Sequence, residues 1–219
     1  MHKLYFAPGA CSFVPHVALE AIKAATGEAF ETQIVRLHKG EQKTPDYLAL
    51  NPDGVVPTLI AEGRPLTQIV AICEYLDRNY PALGLLPADA AQRAEAFSLL
   101  GWINSTAHPA FTHVFMPFKF ADDEAARAEI KRFGLNVYRG YLERMQTRVA
   151  QARPFLFGDR LSLVDIYALV LFRWGGLGGI DPDTLPVYQA YVGRVAAEAP
   201  VVAALAREGT PLDMYKKPS

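Results

Sequence analysis

The spacing of hydrophobic and polar positions divides the chain into two regions of different character. In the first 80 residues, short β-prone runs alternate with helical stripes. Residues 3–6 form a β-prone run that stops at the turn signal Ala7-Pro8-Gly9, and apolar positions over 14–25 then repeat as one face of a helix. Residues 30–36 and 55–60 predict two further strands.

A hairpin and a closing helix complete this first region. Gly63-Arg64-Pro65 predicts a tight turn after the third strand. The next apolar stripe has helical spacing and consists of Ile69, Ile72, Cys73 and Leu76. Pro57 has no N–H to donate to a sheet, so it predicts an edge position or a special turn. The predicted order is βαβ followed by ββα.

The rest of the chain has helical periodicity throughout. Residues 81–87 carry few signals of regular structure. Helices are predicted over 89–117, 122–150, 162–175, 185–198 and 201–208. We therefore predict an α/β domain over 1–80, a linker over 81–88 and an all-helical domain over 89–219. The glycine-rich run 175–179 does not follow a strand and predicts a flexible bend after a helix.

One helix start is specified by its own sequence. Ser162-Leu163-Val164-Asp165 is a variant of the capping box, in which the side chains of the first and fourth residues each bond the other's N–H. Leu161 and Ile166 occupy the positions of a hydrophobic staple.

Composition narrows the class of protein. Hydrophobic residues make up 51% and charged residues 21%, as in packed globular proteins, and the net charge is −1. The chain therefore lacks the excess of basic residues that binds nucleic-acid phosphates. No apolar run is long enough for a membrane span, and the N-terminus does not resemble a signal peptide. Two separated cysteines make neither a disulfide framework nor a thiolate metal site, so we predict a cytoplasmic protein without a metal.

Cys11 is the most informative single residue. It lies in the turn between the first strand and the first helix, where unpaired N–H groups and the helix dipole favour a thiolate of lowered pKa. The alternative is a small buried hydrophobic residue, which is the role we predict for Cys73. No second cysteine lies three residues away, so disulfide chemistry at Cys11 would need an external thiol. His16 is a candidate base or a packed histidine.

Several motifs, in this order and spacing, resemble those of the glutathione transferases, and most closely those of the bacterial beta class. They are Lys3-Leu4-Tyr5, Pro8-Gly9-Ala10-Cys11-Ser12, Pro15-His16, Leu48-Ala49-Leu50-Asn51-Pro52, Gly54-Val55-Val56-Pro57, Leu66-Thr67-Gln68-Ile69-Val70-Ala71-Ile72, His108-Pro109-Ala110-Phe111 and Ser162-Leu163-Val164-Asp165. The match runs along nearly the whole chain. It implies a thioredoxin-like N-terminal domain, an all-α C-terminal domain and glutathione as co-substrate.

The resemblance also implies roles for individual residues. The Val56–Pro57 bond should be cis, with Val56 pairing strand-fashion with the cysteinyl unit of glutathione. Gln68 and Ile69 should present backbone N–H groups to the γ-glutamyl carboxylate. Cys11 should be the active cysteine, with His108 lining the same site. The Ser12 hydroxyl is another candidate neighbour of the glutathione sulfur. Phe111 and Trp174 should line the pocket for the electrophile.

We therefore predict a homodimeric detoxifying transferase that conjugates or exchanges the glutathione thiol with a small electrophilic or disulfide substrate, the electrophile being hydrophobic. One alternative is a glutathione-dependent disulfide reductase, dehalogenase or isomerase that uses the same site. Another is a non-catalytic binding module with a transferase fold. Phe6, Ile69 and Pro109 stand where the family has polar or small residues, which favours the module, whereas Cys11 and Val56–Pro57 oppose it.

Overall fold

The computed structural model describes residues 1–216 and shows a four-stranded mixed sheet followed by a helical region. The strands are β1 (His2–Phe6), β2 (Phe30–Ile34), β3 (Thr58–Ala61) and β4 (Arg64–Thr67). Their order across the sheet is β2-β1-β3-β4. The strand pair β1–β2 is parallel, whereas β1–β3 and β3–β4 are antiparallel. The thioredoxin-like arrangement is confirmed.

Nine α-helices lie within residues 1–216. They are α1 (Phe13–Thr26), α2 (Pro45–Leu50), α3 (Ile69–Asn79), α4 (Ala90–Trp102), α5 (His108–Phe115), α6 (Glu124–Val149), α7 (Leu163–Leu177), α8 (Pro186–Ala196) and α9 (Ala199–Glu208). A π-helical turn, Ile103–Ala107, joins α4 to α5, so the segment predicted as one helix over 89–117 is continuous but changes its winding. No helix in this part of the chain is long and apolar enough to cross a membrane.

The sheet connections follow from local chemistry. The parallel pair β1–β2 is joined by α1, the crossover that such a pair requires. Between β3 and β4, Glu62 and Gly63 both have positive φ angles, 51° and 76°, which is the pattern of a type I′ hairpin turn. Pro65 is tolerated in β4 because this strand lies at the sheet edge. Pro57 lies just before β3, which is an interior strand. Of the two predicted explanations for this proline, the special turn is therefore right and the edge position is not.

The short helix α2 was missed by the sequence analysis, which predicted βαβ followed directly by ββα. Six residues make fewer than two turns and show no measurable periodicity, although Pro45 at the first position is a typical helix start. The Tyr47 hydroxyl donates a 2.7 Å hydrogen bond to the carbonyl of Val55. Helix α2 thus supports the segment that leads to the Val56–Pro57 bond.

The predicted linker is packed against the helical region. Leu85 and Leu86 are buried, and the N–H of Leu163 donates to the carbonyl of Leu85. The N–H of Leu86 donates to the carboxylate of Asp77 at the end of α3. One hydrophobic core, built from α1, α3, α7, α8 and α9 among others, runs across this boundary. The division into domains at 81–88 stays a prediction.

The predicted cap of α7 is confirmed. The Asp165 carboxylate accepts from the N–H of Ser162 at 2.7 Å and from its hydroxyl at 2.5 Å. It also accepts from the N–H of Leu156 and the hydroxyl of Tyr191. Burial raises the pKa of Asp165, while these four donors favour its charged form.

The glycine-rich run after residue 174 is not a bend throughout. Gly175 lies within α7, where a Cβ atom would come within 2.5 Å of a Leu142 methyl group. Gly176 is also helical, and its face is covered by the backbone of Tyr215. Close packing therefore explains these two glycines, and the chain turns only at Gly178 and Gly179.

Candidate active site

The turn between β1 and α1 carries Cys11, whose side chain faces the segment before β3. Its Sγ atom lies 3.6 Å from the Val56 carbonyl oxygen, and the residue is only 6% exposed. Burial raises the pKa of the Cys11 thiol to about 12, although backbone N–H groups of Cys11 and Ser12 act in the opposite direction. The predicted lowering of this pKa is therefore wrong, because desolvation outweighs the helix terminus. Cys73 is buried among core residues, as predicted.

Ser12 contributes to the structure of the same turn. Its side chain is fully buried, and its hydroxyl accepts from the N–H of Ala7 at 3.1 Å and donates to the Ala7 carbonyl at 3.2 Å. Both hydrogen-bonding roles are thus used within the turn. These contacts favour Cys11 over Ser12 as the neighbour of a bound sulfur.

The turn is held from outside by the helical region. Gly9, with φ at +76°, donates its N–H to a Glu208 carboxylate oxygen at 2.9 Å. Its carbonyl accepts from the Trp174 indole N–H at 3.0 Å. The second Glu208 oxygen lies 2.9 Å from Nδ1 of His16, and both of these side chains are fully buried. Of the two roles considered for His16, the packed one agrees with this burial.

The Val56–Pro57 segment is rigidly supported beside Cys11. The bond is cis, as the resemblance implied. The preceding carbonyl, that of Val55, accepts from the Tyr47 hydroxyl and from the Asn51 amide at 2.8 Å. This support fixes the backbone that faces the thiol.

The N-terminus of α3 is the third backbone element of the site. Gln68 immediately precedes the helix with φ at +67°, a strained conformation for a residue with a side chain. Its amide approaches Asp53 at 3.5 Å. Ile69 buries its side chain in the core, so this position offers only backbone N–H groups, which at a helix start lack helical partners.

His108 begins α5, directly after the π-helical turn. Its Nδ1 lies 2.9 Å from the Tyr167 hydroxyl, which donates to the Asn104 side-chain oxygen at 3.3 Å. Burial lowers the pKa of His108 to about 4, with a smaller contribution from the positive charge of Lys119. The imidazole is therefore neutral near pH 7.

Phe111 and Trp174 form the inner layer of an aromatic row. Their rings stack at a centroid distance of 5.1 Å, and both are almost completely buried. His108 packs on Trp174 at 4.6 Å. At the other end, Phe115 stacks on Phe111 at 5.9 Å and is 56% exposed. The row thus leads from the imidazole to an apolar surface.

Comparisons with known proteins agree with this geometry. A family model described as the glutathione S-transferase N-terminal domain matches residues 2–78. A glutathione S-transferase from Xanthomonas campestris, GST-4.5, is 34% identical over 211 residues, covering 94% of this chain and 98% of that protein.

The chain belongs to the glutathione S-transferase family.

Solved structures indicate which class within that family the chain resembles. A bacterial beta-class glutathione S-transferase from Sphingomonas chungbukensis superimposes with a TM-score of 0.82 at 32% identity, covering 95% of this chain and 100% of that one. A glutathione transferase homologue from Sulfitobacter, solved with bound glutathione, gives 0.87 at 27% identity over 96% and 99%. The predicted similarity to beta-class transferases is confirmed.

Sequence reasoning missed four residues of this transferase's candidate site. Glu208 and Tyr167 lie far from Cys11 in the sequence and carry no local motif. Asn104 belongs to a π-helical turn, which no hydrophobic pattern reveals. Phe115 is part of the apolar stripe of α5 and could have been found by following Phe111 by one helical turn.

Proposed function

We propose that this transferase binds glutathione between the Cys11 turn, the Val56–Pro57 segment, the start of α3 and His108, and joins its thiol to a small hydrophobic electrophile. One observation carries the proposal. The Cys11 Sγ atom lies 3.6 Å from the Val56 carbonyl, which brings a thiol and a strand-like backbone edge together at the end of the sheet. A cysteine-containing peptide laid along that edge would have its own sulfur beside Cys11.

Two parts of glutathione, the cysteinyl unit and the γ-glutamyl carboxylate, match elements of this site. The peptide groups of its cysteinyl unit can pair with the Val56 backbone as an added strand does. The γ-glutamyl carboxylate suits the positive end of α3, where N–H groups at Ile69 are available after Gln68. The fixed Val55 carbonyl and the strained Gln68 backbone support a preformed site.

The protonation states favour transfer over disulfide exchange. With a pKa of about 12, the Cys11 thiol keeps its proton near neutral pH and can donate a hydrogen bond to a glutathione thiolate. A neutral His108 can accept a hydrogen bond from the glutathione thiol, and the thiol proton passes to solvent when the thiolate forms. The thiolate then forms a bond to the electrophilic carbon while the leaving group departs with the electron pair of its bond. Disulfide reduction would need a Cys11 thiolate, which this burial disfavours.

The aromatic row is our candidate for the electrophile pocket. Phe111 and Trp174 form its buried wall, and Phe115 supplies the exposed ring. An apolar, planar electrophile would bury surface against the exposed ring of Phe115. This extends the pocket predicted from Phe111 and Trp174 alone.

We further propose a homodimer in the cytoplasm that detoxifies electrophiles. Both cysteines, Cys11 and Cys73, are free thiols, which suits a reducing compartment. Light scattering at micromolar concentration should give twice the mass of one chain. A monomer mass would refute the dimer.

Isothermal titration with glutathione tests the function directly. We expect saturable binding, and a matched titration with ophthalmic acid, which lacks the thiol, should separate backbone recognition from recognition of the sulfur. A nitro-activated aryl chloride should then be consumed with glutathione in a steady-state assay. Absence of glutathione binding would support the non-catalytic module instead.

A further inference from the structure

The hydroxyl of Tyr167 connects His108 to the π-helical turn. It lies 2.9 Å from His108 Nδ1 and donates to Asn104 Oδ1 at 3.3 Å. Asn104 lies within the turn and His108 directly follows it, so two side chains four residues apart meet at one hydroxyl.

Two other buried tyrosines of the helical region, Tyr138 and Tyr188, use their hydroxyls differently. Tyr138 donates to the carbonyl of Leu171, and Tyr188 donates to the carbonyl of Ala168. These bonds satisfy a buried polar group by means of the backbone. Tyr167 is equally buried but bonds two side chains at the candidate site.

The direction of the hydrogen bonds follows from proton counting. A hydroxyl has one proton, and that of Tyr167 is donated to Asn104 Oδ1. In this arrangement the oxygen accepts from His108, so the proton of the neutral imidazole lies on Nδ1. A neutral imidazole has one N–H, so its Nε2 is left with an available lone pair.

We propose that Tyr167, directed by Asn104, is a positioning residue that fixes His108 in the Nδ1–H tautomer and presents Nε2 as the hydrogen-bond acceptor for the glutathione thiol. This rests on the proposed function. Trp174, packed on the imidazole at 4.6 Å, restricts rotation of the ring and so supports the same orientation. In the opposite tautomer Nε2 carries the proton and has no lone pair to accept that hydrogen bond.

The tautomer can be measured directly by ¹⁵N NMR. The full chain is labelled at histidine, His108 is assigned with a His108→Gln variant, and long-range ¹H–¹⁵N correlations are recorded at pH 7. We expect the Nδ1–H pattern in the wild type. Tyr167→Phe removes the acceptor, so the Nε2–H form should become populated and kcat should fall about tenfold at saturating glutathione.

Two further variants separate positioning from stability. Tyr188→Phe loses a buried hydroxyl of the same kind away from His108, and it should keep both the tautomer and kcat. Asn104→Ala should weaken the preference for the Nδ1–H tautomer. Asn104→Asp should retain it, because a carboxylate oxygen accepts from the Tyr167 hydroxyl as the amide oxygen Oδ1 does. A wild-type Nε2–H tautomer, an unchanged tautomer in Tyr167→Phe, or an equal loss of kcat in Tyr188→Phe would overturn the proposal.

Failure of this inference is distinguishable from failure of the proposed function. The tautomer is read in the protein without glutathione, and binding is read separately by calorimetry. Glutathione binding with the Nε2–H tautomer overturns the role of Tyr167 alone. Absence of glutathione binding overturns the function whatever the tautomer.

Discussion

Two helix starts in this transferase are built in opposite ways. Helix α7 begins at a cap made by its own sequence, in which Asp165 bonds the N–H and hydroxyl of Ser162. Helix α1 begins after Cys11 and Ser12 without a side-chain cap, and its turn depends on Glu208 and Trp174 from the distant helical region.

The two helix starts differ in their roles: the start of α7 stabilises its own helix, whereas the start of α1 positions groups of the candidate site. The α7 cap uses the polar side chains of Ser162 and Asp165 on each other and so stabilises the helix start itself. The α1 turn instead keeps its backbone in place through remote contacts to Gly9, and Cys11 faces Val56 rather than its own helix. Breaking either arrangement should therefore have different consequences for stability and for ligand binding.

The largest effect should come from Glu208→Ala. It removes the partner of the Gly9 N–H and of His16, both buried, and we expect a loss of about 3–5 kcal/mol in the free energy of unfolding. Glutathione affinity should fall as well, because the Cys11 turn loses an anchor. Urea unfolding and calorimetry measure the two effects.

A matched control for Glu208 is Glu95→Ala. Glu95 forms an exposed ion pair with Arg148, so its loss should change stability by less than about 1 kcal/mol and leave glutathione binding intact. Equal effects of the two substitutions would show that the Gly9 anchor is unimportant.

Ser162→Ala should have an intermediate effect confined to stability. Removal of the cap hydroxyl should cost about 0.5–2 kcal/mol while glutathione affinity stays within error of the wild type. Thermal unfolding followed by calorimetry at 25 °C tests this. Intact stability with lost binding would contradict the comparison of the two helix starts.

His108 predicts a pH dependence of folding. Its pKa is lowered to about 4 in the folded chain from an ordinary value near 6.5, so the unfolded chain binds the extra proton between these values. Stability from this group is nearly complete above about pH 6.5 and should decrease by about 2 kcal/mol on acidification from pH 7 to pH 5. In His108→Gln this part of the decrease should disappear from urea unfolding at the two pH values.

The smallest effect on turnover should come from Cys11→Ala. Glutathione's own sulfur attacks, so kcat should remain within about tenfold of the wild type. In the wild type, iodoacetamide should label Cys11 slowly near neutral pH, because burial keeps the thiol protonated. Faster labelling of Cys11 in Glu208→Ala, but not in Ser162→Ala, would show that the Cys11 turn depends on Glu208 and not on the cap of α7. Fast labelling of the wild type would contradict the raised pKa.

The sequence alone determined the elements and much of the candidate site. Periodicity located both halves of the fold, and the Ser162–Asp165 spacing specified its own helix start, since capping involves groups three residues apart. The family motifs identified Cys11, Val56, Gln68 and His108 as candidates. The short helix α2 escaped because six residues carry too little periodic signal.

Only the tertiary structure decided the chemistry of those residues. The helix terminus near Cys11 predicted a lowered pKa, but burial against Val56 raises it, and burial is a sum over neighbours from distant parts of the chain. Likewise, Glu208 contacts Gly9 across 199 positions of sequence, and Tyr167 contacts His108 across 59. Hydrogen bonds at such separations depend on how helices pack, and local sequence spacing does not encode that packing.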